Sequence, residues 1–509
     1  MEVESVPPSR DLNQIVKILF LLGVFFSCLI LLVHQGLPFL DCPNHLSRYY
    51  FLTRDFGSPL YNQYYTSNFK IIPNIGVDVL MALIGRVVDA SLGLRLLLSA
   101  TIISASLGYA KMSLRRNNGR WHPALILIPL TLFSFSMVLG FLNFVLAASI
   151  LPWAIYLYEK HESARVRFAV VFVFTLILFF CHLMVAVLLL IMIGSKLLTT
   201  PNGRDKWLGF GSVFVSMLVM ALLLKTSTVS GEGSQIVFST VVEKFKFFFS
   251  CMSFGPWWMV VNGLTYLGFA ALIFLGFANI DREDRVLLIV LFVFYLVCPF
   301  GFKITANMDG RIPAMLFSLF LATSRFKPNA DPSRVRMIAF GLATALFANL
   351  ASIYAVVHRG DQEAKKMRTI LSAIPTGDSL FIGDISQWRA DHRANWYPAY
   401  RMLAYYTAID RPLFISGMFV YPSQQPIILK PGLEGLGYAT RSHEMGASVS
   451  QQVNEALEEL KPRQKMMKSI GVKQSWFFFV NYESTGYDGI TIPGTVYQDK
   501  NYLLAHVDN

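Results

Sequence analysis

Apolar runs of about twenty residues, parted by short polar breaks, set the pattern over the first 357 residues. A run of that length crosses a bilayer as a helix. About eleven stretches qualify: 15–34, 90–112, 122–138, 141–158, 168–180, 183–198, 208–224, 260–278, 286–302, 312–323 and 337–357. Residues 166–198 taken as one helix would be ~50 Å long, against a hydrocarbon core of ~30 Å. A break near Cys181 and His182 makes them a hairpin instead. The first run exits through LVHQGLPF, which has no small-x-small cleavage site, so it reads as a retained anchor. Beyond residue 357 the period changes. DQEAKKMRTILSAIP and SVSQQVNEALEELKP are helical in pattern, DSLFIGD, RPLFISGMF and QSWFFFVNY are strand-like, and TVYQDKNYLLAHV reads as a closing hairpin. The expected fold is a polytopic α-helical membrane protein with a C-terminal α/β domain, divided into residues 1–357 and 358–509.

Composition agrees with a membrane protein. The 509 residues are 54% hydrophobic and 15% charged, with a mean hydropathy of +0.48; soluble domains carry about 25% charge. The net charge of +12 is uneven, with 16 Lys+Arg against 15 Asp+Glu from residue 358 onward and 28 against 17 before it. The excess sits in KMSLRRNNGR, EKHESARVR, SKLLTTPNGRDK, DREDR and RFKPNADPSRVR. The span count puts all five loops on one side, which the positive-inside rule makes the cytoplasm, together with the N-terminus. Interleaving of this charge with spans argues against nucleic acid as a partner. The C-terminal domain and the long loop 35–89 then lie outside. Within that loop, NIGVDVLMALIGRVVDA (74–90) has the spacing of an amphipathic surface helix, with Asp78, Arg86 and Asp89 expected on its solvated face.

Five widely spaced cysteines form no metal-ligand pattern. Cys42 and Cys251 both fall in outer loops, where a disulfide between them is one option beside two free thiols. No P-loop, G-x-G-x-x-G, G-x-S-x-G or HExxH motif is present, so any chemistry is built from outer loops and span mouths. The densest candidate is DCPNHLSR at the exit of the first span. Pro43 suits a first helical turn, and a helix starting there puts His45 and Arg48 on one face with Asp41 just before it. Read locally, Asp41 or Cys42 caps a juxtamembrane helix and Arg48 seeks lipid phosphates. Read chemically, Asp41 takes a proton from an acceptor hydroxyl while His45 and Arg48 neutralise the phosphate of a lipid carrier. That set suits glycosyl transfer from a polyprenyl-phosphate sugar. Asp41 and His45 alone do not define a metal site.

In KITANMDGRIP, Lys303 and Arg311 sit at an outer mouth, as donor-phosphate ligands or as interfacial anchors. His182 reads as an interfacial residue at a hairpin apex, or as a functional group if it faces inward, and GFLNF (140–144) as a turn. QWRADHRANWYPAYRMLAYY (387–406) carries Trp388, Asp391, His392 and Trp396, which suit either acceptor contact or packing on the membrane face.

By layout, nearly the whole chain resembles the GT-C class of integral membrane glycosyltransferases. The shared features are a first span ending in an acid, a long first outer loop, about eleven spans and an outer C-terminal domain. It looks most like the aminoarabinose-transferase and protein O-mannosyltransferase type, including rhizobial lipopolysaccharide sugar transferases. The resemblance implies that Asp41 is the catalytic acid of the first loop. It also implies that the donor is a polyprenyl-phosphate sugar, the acceptor a lipid or glycan, and the location the periplasmic face of a bacterial inner membrane. Many members carry a second acid next to the first; here that place is Cys42. A lipid-linked sugar transporter or flippase would need polar groups along a path inside the spans, and mid-span charges are nearly absent. A non-catalytic envelope polysaccharide assembly protein of the same layout is the remaining alternative.

Overall fold

In the computed structural model, helices alternate with short breaks through most of the chain, as the apolar pattern requires. It describes residues 10–54, 56–68, 71–226, 236–251, 258–274, 279–302, 307–326, 331–384, 397–418, 425–437, 440–441, 449–480 and 492–508. They form two compact units: Met1–Val33, Ile71–Val77 and Arg95–Val356 in the first, His34–Lys70, Asp78–Leu94 and Val357–Asn509 in the second.

Six helices among the described residues are long and apolar enough to cross a membrane: Asp11–Val33, Ala90–Arg116, Leu142–Lys160, Ala164–Cys181, Arg204–Lys225 and Pro332–Leu371. Among the described residues the other five expected spans are shorter or broken, and Trp258–Phe274 borders undescribed residues at both ends. Leu183–Thr199, Trp258–Phe274, Arg282–Val297 and Ile312–Thr323 have 17, 17, 16 and 12 residues. The stretch expected at 122–138 splits into Pro123–Leu127, Ile128–Leu132 and Phe135–Val138. Pro123 and Pro129 each start a new segment there, because a proline lacks the N–H that a continuing helix needs. At the expected hairpin, Ala164–Cys181 ends at an extended His182 (φ −165°, ψ 113°) and Leu183–Thr199 packs back along it.

Buried charge marks one end of the first unit. Arg116 bonds Asp284 through Nε (2.8 Å) and Glu159 through Nη2 (2.8 Å), and Lys196 reaches Glu159 at 2.6 Å and Asp284 at 3.5 Å. Two cations and two carboxylates compensate one another where an unpaired charge would be prohibitive. Asn117 Nδ2 donates to Ser324 O and its Oδ1 accepts from Phe326 N–H, while Asn13 Oδ1 accepts from Trp121 N–H. The ends of basic loops distant in sequence, and the start of the first helix, therefore meet at one end of this unit, as the span count requires.

The opposite end gathers residues 71–77, 140–144 and 180–183. Ile75 N–H donates to Phe180 O, Val77 N–H to Asn143 Oδ1, and Leu183 N–H to Asn74 Oδ1. Gly76 is needed there: a Cβ would lie 2.8 Å from Cys181 Sγ and 2.9 Å from its Cα.

In the second unit, Ser379–Asp384 pairs in parallel with Phe414–Ile415 and with Gln474–Val480; Tyr502–Asp508 then runs antiparallel to Gln474–Val480 and to Thr495–Gln498. Thr440–Arg441 adds a short parallel partner to Ser379–Asp384. Helix Val449–Ser469 packs on this mixed sheet. The first loop belongs to the same unit: Tyr65–Ser67 pairs antiparallel with Ile427–Leu429, and Tyr64 lies on Phe414 at 4.8 Å.

Candidate active site

Pro43 opens helix Cys42–Thr53, in the first turn where its missing N–H is not used. Asp41 is the N-cap residue. Its carbonyl accepts His45 N–H at 3.0 Å, while its carboxylate makes no capping hydrogen bond and is half-buried. The helix is fastened to the C-terminal segment of the same unit. Asn44 Nδ2 donates to Gly417 O (2.9 Å), Ser47 Oγ to Tyr405 O (2.5 Å), and Tyr406 OH to Leu37 O (3.0 Å). Just before it, Gly36 N–H donates to Asp361 Oδ1 at 2.6 Å. These bonds fix the backbone on either side of Asp41.

His45 and Arg48 do share a face, but it is turned inward. Arg48 Nε and Nη2 both donate to Asp78 Oδ1 (2.8 and 2.6 Å), and both side chains are 0% exposed. Arg48 Nη2 also meets His45 Nδ1 at 2.8 Å; since a guanidinium only donates, the imidazole nitrogen is the acceptor. Burial, with Arg48 adjacent, holds His45 well below its ordinary pKa, so it is neutral near pH 7. Tyr49 stacks on His45 at 6.0 Å and takes the guanidinium over its ring at 5.5 Å. The pair expected to neutralise a phosphate is thus committed to the interior. Asp78, expected on a solvated face, is 1% exposed and is the counter-ion of Arg48. Arg86 and Asp89 are exposed as expected, and Asp89 Oδ1 accepts from Ser91 and Leu92 N–H.

Cys42 stands beside Asp41 as a thiol. Burial, with the Asp41 charge adding to it, pushes its pKa up to about 12, so it brings no second negative charge at neutral pH. All five cysteines are free and buried, so Cys42 and Cys251 are not bridged.

In the first unit, Arg311 ends the short turn Asp309–Arg311 that leads into helix Ile312–Thr323. It is 6% exposed. Its guanidinium lies 3.9 Å from the centre of the Phe141 ring, and Nη1 meets His182 Nε2 at 2.7 Å. Asp309 pairs with Lys244 (3.3 Å), whose Nζ also donates to Tyr295 O and Cys298 O. Arg311 borders a cleft that Phe144, Tyr109, Ser134, Ser149 and Ser318 help to line. Phe141, expected as a turn residue, and His182, for which the inward reading is the alternative to an interfacial one, both contact Arg311. Lys303, Trp388, Asp391, His392 and Trp396 lie outside the described residues. Among those described, no three His, Cys, Asp or Glu side chains gather as a metal-ligand group.

No protein-family model matches the chain, and no curated protein sequence does. Solved structures do. ArnT from Cupriavidus metallidurans in the apo state superposes with a TM-score of 0.52 at 12% identity, covering 96% of this chain and 97% of that one. The fold is similar to that of ArnT. The structure of ArnT bound to undecaprenyl phosphate gives the same TM-score at 10% identity and the same coverage. The mycobacterial arabinofuranosyltransferase AftD aligns over 95% of this chain and 39% of its own, with a TM-score of 0.47 at 12% identity. The likeness to ArnT extends from end to end and is one of fold; at such identity it assigns no residue a role.

Proposed function

We propose that the chain is a GT-C-like glycosyltransferase. It moves one sugar from a polyprenyl-phosphate carrier to a lipid or glycan acceptor on the periplasmic face of a bacterial inner membrane. The N-terminus lies in the cytoplasm and the C-terminal segment outside. The reading is supported by the likeness of fold to ArnT, one of whose structures holds undecaprenyl phosphate. The observation that carries it is Asp41. This carboxylate sits at the exit of the first span, at a helix N-terminus it does not cap, on a helix anchored from both sides.

In the reaction, the acceptor oxygen attacks the anomeric carbon, the bond to the phosphate oxygen breaks, and the carrier leaves as its phosphate. Asp41 takes the acceptor proton as general base. Arg311, held by Phe141 and His182, supplies a charge-assisted donor to the phosphate. His45, Arg48 and Asp78 act as scaffold for the helix that carries Asp41. Lys303, Trp388, Asp391, His392 and Trp396 remain candidates for contact with donor or acceptor. The buried cluster of Arg116, Glu159, Lys196 and Asp284 counts against a transporter, because four compensated charges would have to part to open that end.

Comparison of glycolipids and polysaccharides from a deletion strain and its parent by mass spectrometry tests the reading. The deletion strain should lack one sugar on one envelope glycan, and the wild-type gene should restore it. Identical glycan profiles would overturn the proposal.

A further inference from the structure

His182 is the buried polar group beside Arg311 whose second nitrogen the reaction leaves unused. Its position is set by backbone: His182 N–H donates to Leu178 O at 2.6 Å, and its own carbonyl accepts from Val185 N–H at 2.9 Å. The Phe144 ring meets the imidazole edge-on at 5.2 Å and 89°. Arg311 Nη1 lies 2.7 Å from Nε2. A guanidinium has no acceptor, so Nε2 receives this bond through its lone pair. The imidazole in that contact is neutral and carries its one ring hydrogen on Nδ1. Nδ1 is buried, the residue is 7% exposed, and Nδ1 meets no hydrogen-bond partner among the described residues. Buried donors without acceptors are rare and costly in native proteins, so a group in this state marks a place where an acceptor arrives from elsewhere.

We propose that His182 is a ligand-contact residue, whose Nδ1–H donates to an oxygen of the phosphate-linked head group that Arg311 binds. This rests on the proposed function, which gives Arg311 the phosphate. The two ring nitrogens face opposite sides of the imidazole, so the oxygen on Nδ1 is a different one from any held by Nη1 of Arg311. A head group with several oxygens meets that demand.

Two substitutions separate this role from simple support of Arg311. In His182→Gln the amide oxygen can stand where Nε2 was, keeping an acceptor for Arg311 but losing the Nδ1 donor. In His182→Asn the amide nitrogen stands near Nδ1, keeping the donor. Binding of undecaprenyl phosphate is measured on the purified full chain in nanodiscs. His182→Gln should bind about tenfold to a hundredfold more weakly than wild type, the loss expected for one hydrogen bond to a charged acceptor. His182→Asn should recover most of that loss. Wild-type affinity in His182→Gln, with weak binding in Arg311→Gln, would overturn the role of His182 and leave that of Arg311 standing. Equal binding by wild type and Arg311→Gln would instead remove the role of Arg311, and this inference with it. Should the variants fail to fold, the wild-type protein labelled with ¹⁵N-histidine gives a second reading. The His182 Nδ1–H resonance should shift on addition of undecaprenyl phosphate, and an unmoved resonance overturns the proposal.

Discussion

Replacing Asp78 with Asn tests whether the helix behind Asp41 is held by buried charge. The side chains of Arg48 and Asp78 are both 0% exposed, and the carboxylate accepts from two guanidinium nitrogens. Removing its charge leaves a buried guanidinium without its counter-ion, which costs about 3–5 kcal/mol. A surface pair at the same positions would cost under about 1 kcal/mol, so the two cases are well separated. At about 1.4 kcal/mol per decade, opening of helix Cys42–Thr53 should become about a hundredfold to a few thousandfold more frequent. Hydrogen exchange of the amides in this helix, followed by mass spectrometry on protein in nanodiscs, reads that change directly. The double variant Arg48→Met, Asp78→Leu should return most of the protection, since an apolar pair of similar volume often replaces a buried ion pair at little cost. Unchanged exchange in Asp78→Asn would refute the reasoning.

Other expectations follow from the same geometry. His45 titrates below its unfolded value of about 6.5, so the unfolded chain binds its proton first as pH falls. Stability of this unit should therefore decline on acidification below about pH 6.5, by at most about 1.4 kcal/mol per pH unit from this group. His45→Asn should flatten that decline in a series of thermal unfolding curves, and an unaltered pH slope would contradict it. Because Cys42 and Cys251 are free and buried, mobility on gels should not change on reduction, and Cys42 should resist maleimide at pH 8 until the protein is denatured. Single cysteines at Asn202 and Lys246, both exposed in the first unit, should be labelled from opposite sides of the membrane. Labelling from one side would break the expected alternation of spans.

The sequence made local features legible and left long-range partnerships hidden. Pro43 marked the start of its helix, Cys181–His182 the break between two apolar runs, and QSWFFFV a strand, all within a residue or two. The basic loops were sorted correctly to one end because each carries its own charge, whatever its partner. The long helix Pro332–Leu371 ran past the expected end at 357, since polarity alone does not stop a helix whose residues remain good helix formers. Asp78 was misplaced for a different reason. Periodicity fixes which residues share a face, not whether another element covers that face, and Arg48 lies thirty positions earlier in the chain. His182 and Arg311 are 129 positions apart, and no local pattern links them. Phe141 was equally invisible, because its use depends on a guanidinium delivered by a distant turn.

The central claim concerns the carboxylate at the exit of the first span. Asp41→Asn keeps the size and the backbone bonds of the residue, and its side chain makes no capping hydrogen bond. In the deletion strain, this variant should be made at wild-type levels and leave the envelope glycan without its sugar, as an empty vector does. Restoration of the wild-type glycan mass by Asp41→Asn would contradict the account.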